Sequence, residues 1–461
     1  MQTEDFKKYS KELGWLDVAG AEVWQDFGPS DEGSQQRLEE FAIKLGVCEK
    51  HLQKKVMCMS DIIMAAKHTS NGLISIMMDS NHYRGAAYGY AIMVQIKKAL
   101  EQEGYLTKVQ PAHKKEGLCA LYRTAFPEDL LACRFKCHRK GRPVEVRSGR
   151  RLDESGRPIG GQRLGLKQFG PSIKRLADEV LILREGLKHH ALMNQNGREY
   201  GGMRRIFNQG KLNKGGRVYG TWQQLSEDER LKLTMGGTKV AEIDLKGAFL
   251  NISAACANAE ILSFDPYADI SFVASVTDPG RRKQARELAK LLTSAYLSNG
   301  GRTSRFPKGK KKRGIDGRLR VVSIREKFNL PKSARAADYY AAILKAFPFL
   351  RDLKTDAFDL MFIESELMME AMLELSADSI PTAPVHDCLI CREQDVQQVV
   401  EVLQGVMVRR LGRSIAMDVT LSNGEAQKIG GFAASECRDV ATKSYPHIDW
   451  GVIEDFDLIE D

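Results

Sequence analysis

Val240-Ala-Glu-Ile-Asp-Leu-Lys-Gly-Ala-Phe-Leu-Asn-Ile252 is the stretch on which the reading of this chain turns. Apolar and β-branched residues lead to a single acid, Asp244, and helix formers follow Gly247. The pattern predicts a strand that delivers Asp244 at its end and then turns into a helix. A carboxylate at a strand tip is a good ligand for a hard cation; the alternative is that Asp244 only caps the following helix.

A second stretch, Ile380-Pro-Thr-Ala-Pro-Val-His-Asp-Cys-Leu-Ile-Cys391, weighs against that alternative. It follows a Leu-, Met- and Glu-rich segment, about Phe358 to Leu375, that reads as a helix. The second stretch itself reads as a short apolar strand with His386 and Asp387 in its middle. An acid inside an apolar strand is costly unless it is paired or binds a cation. Two such aspartates, Asp244 and Asp387, point to one shared metal site.

These residues resemble the family A DNA polymerases, those like bacterial DNA polymerase I. Val385-His386-Asp387 is similar to that family's third palm motif, which is Val-His-Asp followed by Glu, and Glu242-Ile243-Asp244 is similar to its first. Between them, Arg286-Glu-Leu-Ala-Lys290 resembles the Arg-x-x-x-Lys of the fingers helix, and the three motifs stand in the family's order. A nearer likeness is to short polymerase-like proteins of phages and plasmids, where Gly216-Arg217-Val-Tyr219-Gly-Thr-Trp222-Gln223 would precede the first motif. The resemblance spans roughly Arg205 to Met407.

The resemblance implies an α/β (α+β) fold of the right-hand type, with palm, fingers and thumb. The expected divisions are a helical, winged-helix-like module at 1–130, a basic linker with thumb-like helices at 131–215, and palm at 216–257 and 356–448. Fingers with a basic loop occupy 258–355 and an acidic tail 449–461. It also implies a nucleotidyltransferase, a template-directed DNA polymerase acting on a DNA primer-template and dNTPs.

In that reading Asp244 and Asp387, with His386 as part of the third motif, hold two magnesium ions, or manganese, about 4 Å apart. Arg286 and Lys290 neutralise the triphosphate, with Arg282 on the same helical face. Arg204, Arg205, Arg217, Gln223 and Gln224 lie along the minor groove, and Phe249 stands under the sugar of the incoming nucleotide. The chain departs from the family beyond Lys290: where an aromatic residue and a Tyr-Gly are expected it has Ser294, Ser298 and Asn299. The incoming base then stacks on Tyr296 or on nothing in this helix. Glu364-Ser365 stands where the family has Gln-Gly or Gln-Ser, and Cys388 replaces the acid after Asp387.

Composition bounds the rest. The 461 residues are 43% hydrophobic and 28% charged, with no apolar run of bilayer length and an N-terminus unlike a signal peptide, so a cytoplasmic protein without a membrane partner is expected. Nine scattered cysteines read as reduced thiols; Cys133-x-x-x-Cys137-His138 and Cys388-x-x-Cys391 lack a second ligand pair at zinc spacing. The net charge of +9 favours a polyanionic partner. Its densest cationic run, Arg305 to Arg320, has eight Lys or Arg, among them Lys310, Lys311, Lys312 and Arg313, against Asp316 alone. It reads as a phosphate-binding loop or as solvated surface.

Upstream, Gly85 to Glu103 reads as a helix, followed by a strand, a basic turn His-Lys-Lys-Glu-Gly and a second strand. That is the order of a winged helix, or of a helix and hairpin that only pack. Arg134 to Lys167 reads as a basic loop or ribbon, and Pro171 opens a helix to His190. The roughly 240 residues before the palm leave little room for a proofreading exonuclease. Two other functions stay open. One is a reverse transcriptase, whose first palm motif Asp244-Leu-Lys-Gly-Ala-Phe249 also resembles. The other is a non-catalytic DNA-binding replication factor on a polymerase-like palm.

Overall fold

The strand and helix expected around Asp244 are both present, and the rest of the C-terminal half is arranged about them. The computed structural model describes residues 23, 27–48, 50–67, 72–78, 80, 83, 88–111, 120–137, 142–152, 158–195, 197, 199–301, 303, 305–307, 310–313, 319–353, 355–433 and 435. The basic turn at 113–117 and the acidic tail at 449–461 lie outside them.

In chain order, the N-terminal elements are β1 (Phe27–Pro29), α1 (Glu32–Lys44), α2 (Leu52–Lys67), β2 (Leu73–Ile76), α3 (Tyr90–Gln102), β3 (Leu106–Gln110), β4 (Ala120–Thr124) and β5 (Phe135–Cys137). They enclose a core of their own, including Leu38, Met59, Ile62, Ile74, Ile96 and Tyr122. The expected helix, strand, strand order is observed, with β2 added to give an antiparallel sheet β2-β4-β3. Asp61, buried on α2, ties the module together: its Oδ1 accepts from the Phe27 amide at 2.7 Å and its Oδ2 from the Tyr88 hydroxyl at 2.8 Å.

Next come β6 (Val144–Val146), α4 (Ser172–His189), β7 (Arg204–Phe207) and β8 (Gly215–Tyr219). Helix α4 buries Leu176, Val180, Leu183 and Leu187, as its apolar spacing predicts. The basic segment before it is partly ribbon, with Arg150–Leu152 paired to Pro158–Gly160. Within it Glu145 accepts from Arg147 at 2.5 Å and Arg163 at 2.9 Å, so those two guanidiniums already have a carboxylate.

The third group contains β9 (Thr238–Leu245), α5 (Ala248–Cys256), α6 (Pro279–Ser298), β10 (Lys310–Arg313), β11 (Leu319–Val322), α7 (Ala336–Ala346) and α8 (Ala357–Ala377). It closes with β12 (Ala383–Val385), β13 (Cys388–Arg392), α9 (Val396–Leu411), β14 (Met417–Leu421) and β15 (Ala426–Ile429). The antiparallel order is β15-β14-β9-β13-β12, which makes β9 a central strand. Successive side chains on a strand point to opposite faces. Ile243, Leu245, Leu389, Met417 and Val419 join the apolar residues of α8 and α9 in the main core. Glu242 and Asp244 fall on the other face, where Asp244 pairs across the ladder with Cys388 and Asp418. The chain is thus a mixed α/β protein, and no helix among the described residues is long and apolar enough to cross a membrane.

Two expectations need correction. His386 and Asp387 are not inside a strand: they are the two-residue turn between β12 and β13. The physical reason is His386, which takes φ +60, a left-handed conformation that ends one strand and reverses the chain. The run Lys310–Arg313 is not loop either but one side of a two-stranded ribbon, with Lys310 opposite Val322 and Arg313 opposite Leu319. The β-branched Val321-Val322 pair supplies the partner strand, and the turn at 314–318 lies outside the described residues.

Between β9 and α5 the N-cap position belongs to Gly247 at φ +54, not to Asp244. A Cβ at Gly247 would meet nothing nearer than 3.6 Å, so its substitution costs backbone conformation alone. Gly247→Ala is expected to lower unfolding stability by about 1 kcal/mol, read as a shift in the urea midpoint at constant m-value.

Candidate active site

The two sequence aspartates are brought together by the backbone. The Leu245 amide, one residue past Asp244, donates to the Asp387 carbonyl at 3.0 Å and so fastens the β12–β13 turn beside the end of β9. The turn is held from its other side as well: Trp222 Nε1 and Gln223 Nε2 both donate to the Pro384 carbonyl, at 2.9 and 2.8 Å. His386 stands with its ring edge-on to Tyr219, centroids 5.9 Å apart.

Like charges close together resist ionisation. Burial, then the neighbouring Asp387, push the Asp244 carboxyl up to about 6, against Lys246 and Lys290, which favour its ionised form. Lys246 lies 3.5 Å from Asp244 Oδ2 and also contacts Asp418 across the ladder. His386 Nδ1 and the Oδ1 atoms of Asp418 and Asp265 are buried without a hydrogen-bond partner. Such atoms ask for a partner the chain does not supply.

Two further acids here are different. Glu242 is forked by Arg230 at 2.6 and 3.0 Å, and Glu364, fully buried on α8, by Arg217 at 2.7 and 2.8 Å. Burial still pushes Glu364 up to about 7, with Asp387 and Asp244 acting in the same direction and Arg217 opposing them. Among the described residues neither Asp244 nor Asp387 has an arginine fork.

Helix α6 starts at Asp278, whose side chain accepts from the Arg281 amide at 2.8 Å, with Pro279 in its first turn. Arg286 donates to Asp265 at 2.7 Å and lies 5.7 Å from the Tyr267 ring centroid. Tyr267 is buried, which pushes its hydroxyl up to about 12, with Asp387 near enough to add to the effect. Lys290 is exposed one turn further on and near enough to act on Asp244; Arg282 is exposed one turn earlier. Of this row Lys290 is the cation shown to act on Asp244, while Arg286 is held by Asp265.

Other residues are placed differently from what the resemblance implies. Tyr296 is 5% exposed and packs in the core, 6.0 Å from the Tyr340 ring on α7, so it does not present a face to a base. It falls on the α6 side shared with Leu292 and Thr293. Arg205 is 1% exposed, donating to the Gly216 carbonyl at 2.8 Å, and is an internal anchor. Gln223 uses its amide on the Val218 and Pro384 carbonyls, and Gln224 ends the same short helix. Arg217 lies between Glu364 and the Phe249 ring, 5.3 Å from its centroid, with Phe249 half-buried against the core. Lys310, Lys311, Lys312 and Arg313 belong to the separate ribbon β10–β11.

Sequence reading missed Asp418, Lys246, Asp265 and Tyr267. Asp418 interrupts an apolar strand as Asp244 does, which is a usable signal; nothing local marks Asp265 or Tyr267. Among the described residues no three His, Cys, Asp or Glu converge as a metal cage. A pair of hard carboxylate oxygens nevertheless suits magnesium, which is commonly held by one or two carboxylates together with substrate phosphates.

Both raised carboxyls carry a stability consequence. A folded-state pKa above the unfolded value means the folded protein holds the proton more tightly, so stability falls as pH rises through that window. For Asp244 the window runs from about 3.8 to about 6. Asp244→Asn is therefore expected to be more stable than wild type at pH 7 in metal-free buffer and to show no gain at pH 3.5, measured by urea unfolding.

No protein-family model matches the chain, and no curated protein sequence matches it. Among solved structures, it is similar to the POL domain of Pol1 from M. smegmatis in complex with a DNA primer-template and dNTP. Identity is 14%, the TM-score is 0.26, and the match covers 88% of this chain and 67% of that one.

Proposed function

We propose that this site transfers nucleotidyl groups and that the protein is a template-directed DNA polymerase taking dNTPs and a primer-template. The observation that carries the reading is the Asp244–Asp387 pair, fastened by the Leu245–Asp387 backbone hydrogen bond, with Lys290 near enough to act on Asp244 and Arg286 one turn earlier on the same helix. Asp244 and Asp387 would hold magnesium, which when bound supplies Lewis-acid activation of the primer 3′-hydroxyl and charge neutralisation on the triphosphate.

The chain's own residues do the positioning. Lys290, exposed and unforked, takes triphosphate oxygens; Arg286 adds a planar fork once it exchanges Asp265 for phosphate. The Arg217–Glu364 pair holds the Phe249 ring from above, which fixes the floor under the sugar. Lys246 keeps Asp418 compensated, so that Asp244 and Asp387 remain the acceptors for a cation. The basic ribbon β10–β11 is suited to backbone phosphate, and its contribution is electrostatic.

Primer extension on DNA and RNA templates tests this. Wild type should extend a DNA primer on DNA, and Asp244→Asn or Asp387→Asn should abolish extension with duplex affinity nearly unchanged, because phosphate contacts dominate affinity. Extension retained in either variant would remove the metal-dependent reading. Extension confined to RNA templates would make the protein a reverse transcriptase, and duplex binding with no extension by wild type a non-catalytic factor.

Phe249 gives a finer test. A bulky ring beneath the sugar excludes a 2′-hydroxyl by overlap. Phe249→Ala is expected to admit ribonucleotides, with a modest loss of dNTP use, in single-nucleotide addition on one primed template. Equal sugar discrimination by wild type and variant would assign Phe249 to core packing alone.

A further inference from the structure

The N-terminal module contains a second cationic site that the polymerase reading does not use. A cleft of about 380 Å³ opens between the turn that joins α1 to α2 and the first turns of α3. Lys50, His51 and Lys55 line one side; Ala91, Ile92 and Gln95 line the other. No acid is among its lining residues.

Lys55 is the residue without an explanation in the fold. It is 4% exposed, and among the described residues its ammonium has neither a hydrogen-bond acceptor nor a carboxylate. It sits in the first turns of α2, a 16-residue helix, where the helix dipole disfavours a cation. Among the described residues the ammonium has no acid to compensate it, and a first turn with no acidic residue leaves the dipole uncompensated too. Asp61, buried two turns on in the same helix, shows the contrast: both its oxygens are satisfied.

Around Lys55 the features all favour an anion. Lys50 and His51, the latter at φ +60, stand on the same wall of the cleft as Lys55. Helix α3, 13 residues long, begins on the opposite wall at Gly89 without a side-chain cap and without an acid in its first turn. An unpartnered lysine, Lys50 and His51, with no acid among the lining residues, together suit a doubly charged oxyanion. The volume exceeds what a lone phosphate needs and lies in the range of small-ligand clefts, roughly 300–1,000 Å³.

We propose that this cleft binds a phosphate group, carried either by a free nucleotide or by the backbone of a nucleic acid. It does so independently of the carboxylate site, and the proposal stands or falls without nucleotidyl transfer. The full-length protein in EDTA buffer is titrated with dAMP, with deoxyadenosine as the uncharged control, and separately with a short DNA duplex.

The expected result is saturable dAMP binding, duplex binding, or both, weakened at least about tenfold by Lys50→Gln/His51→Gln and by Lys55→Met. Arg286→Gln/Lys290→Gln leaves dAMP binding unchanged. Lys55→Met, which keeps the bulk and removes the charge, should also raise the ligand-free Tm and abolish the rise that dAMP produces. A loss seen with dAMP assigns the phosphate to a free nucleotide, and a loss seen with duplex alone to the nucleic-acid backbone. If neither ligand distinguishes the Lys50→Gln/His51→Gln protein from wild type, or if deoxyadenosine binds as well as dAMP, the proposal is overturned.

Discussion

The hydrogen bond from the Leu245 amide to the Asp387 carbonyl is the contact on which the candidate site depends. It joins the end of the central strand β9 to a turn more than a hundred residues away in sequence, and backbone groups are the only partners involved. Buried backbone donors and acceptors are almost always paired, so this contact is enforced by the sheet whatever the charges nearby prefer. The sheet can therefore hold two carboxylates together that would separate if left to themselves. Burial first, and then Asp387 held beside it, raise the Asp244 carboxyl.

Compensation separates the structural acids from the candidate ligands. Glu242 and Glu364 each take a full arginine fork, Asp61 takes an amide and a hydroxyl, and Glu145 takes two arginines. Each is then part of the scaffold. Among the described residues Asp244 has a lysine at 3.5 Å, shared with Asp418, and Lys290 of α6 near enough to act on it. Functional groups are commonly left electrostatically unsatisfied while the surroundings hold them in place. His386, in a left-handed conformation with an unpartnered Nδ1, is likewise left unsatisfied.

The N-terminal module follows the same logic with the sign reversed. Its core closes on itself, and its buried acid is satisfied, but its buried lysine is not. Charge of opposite sign is left uncompensated at the two places, which is what the proposed cation at Asp244 and Asp387 and the proposed anion at Lys55 rest on.

Much of this was legible in the sequence because it depends on local period and local backbone chemistry. The strand to Asp244, the turn at Gly247, and the helices α4, α6, α8 and α9 all follow from apolar spacing, proline and glycine within a few residues of one another. The pairing of Asp244 with Asp387 was legible as two acids in apolar strands and as a resemblance between motifs, not in the contacts that bring them together. Tertiary structure alone decided that His386–Asp387 is a turn, that Tyr296 and Arg205 point inward, and that Arg217 is taken by Glu364. Each of those outcomes depends on which face of an element meets which neighbour, and partners such as Arg217 and Glu364 lie far apart along the chain. The same holds for Lys55: its sequence neighbours make it look like ordinary helix surface, and only packing against α3 and the α1–α2 turn buries its stem and leaves its charge at the cleft without a partner.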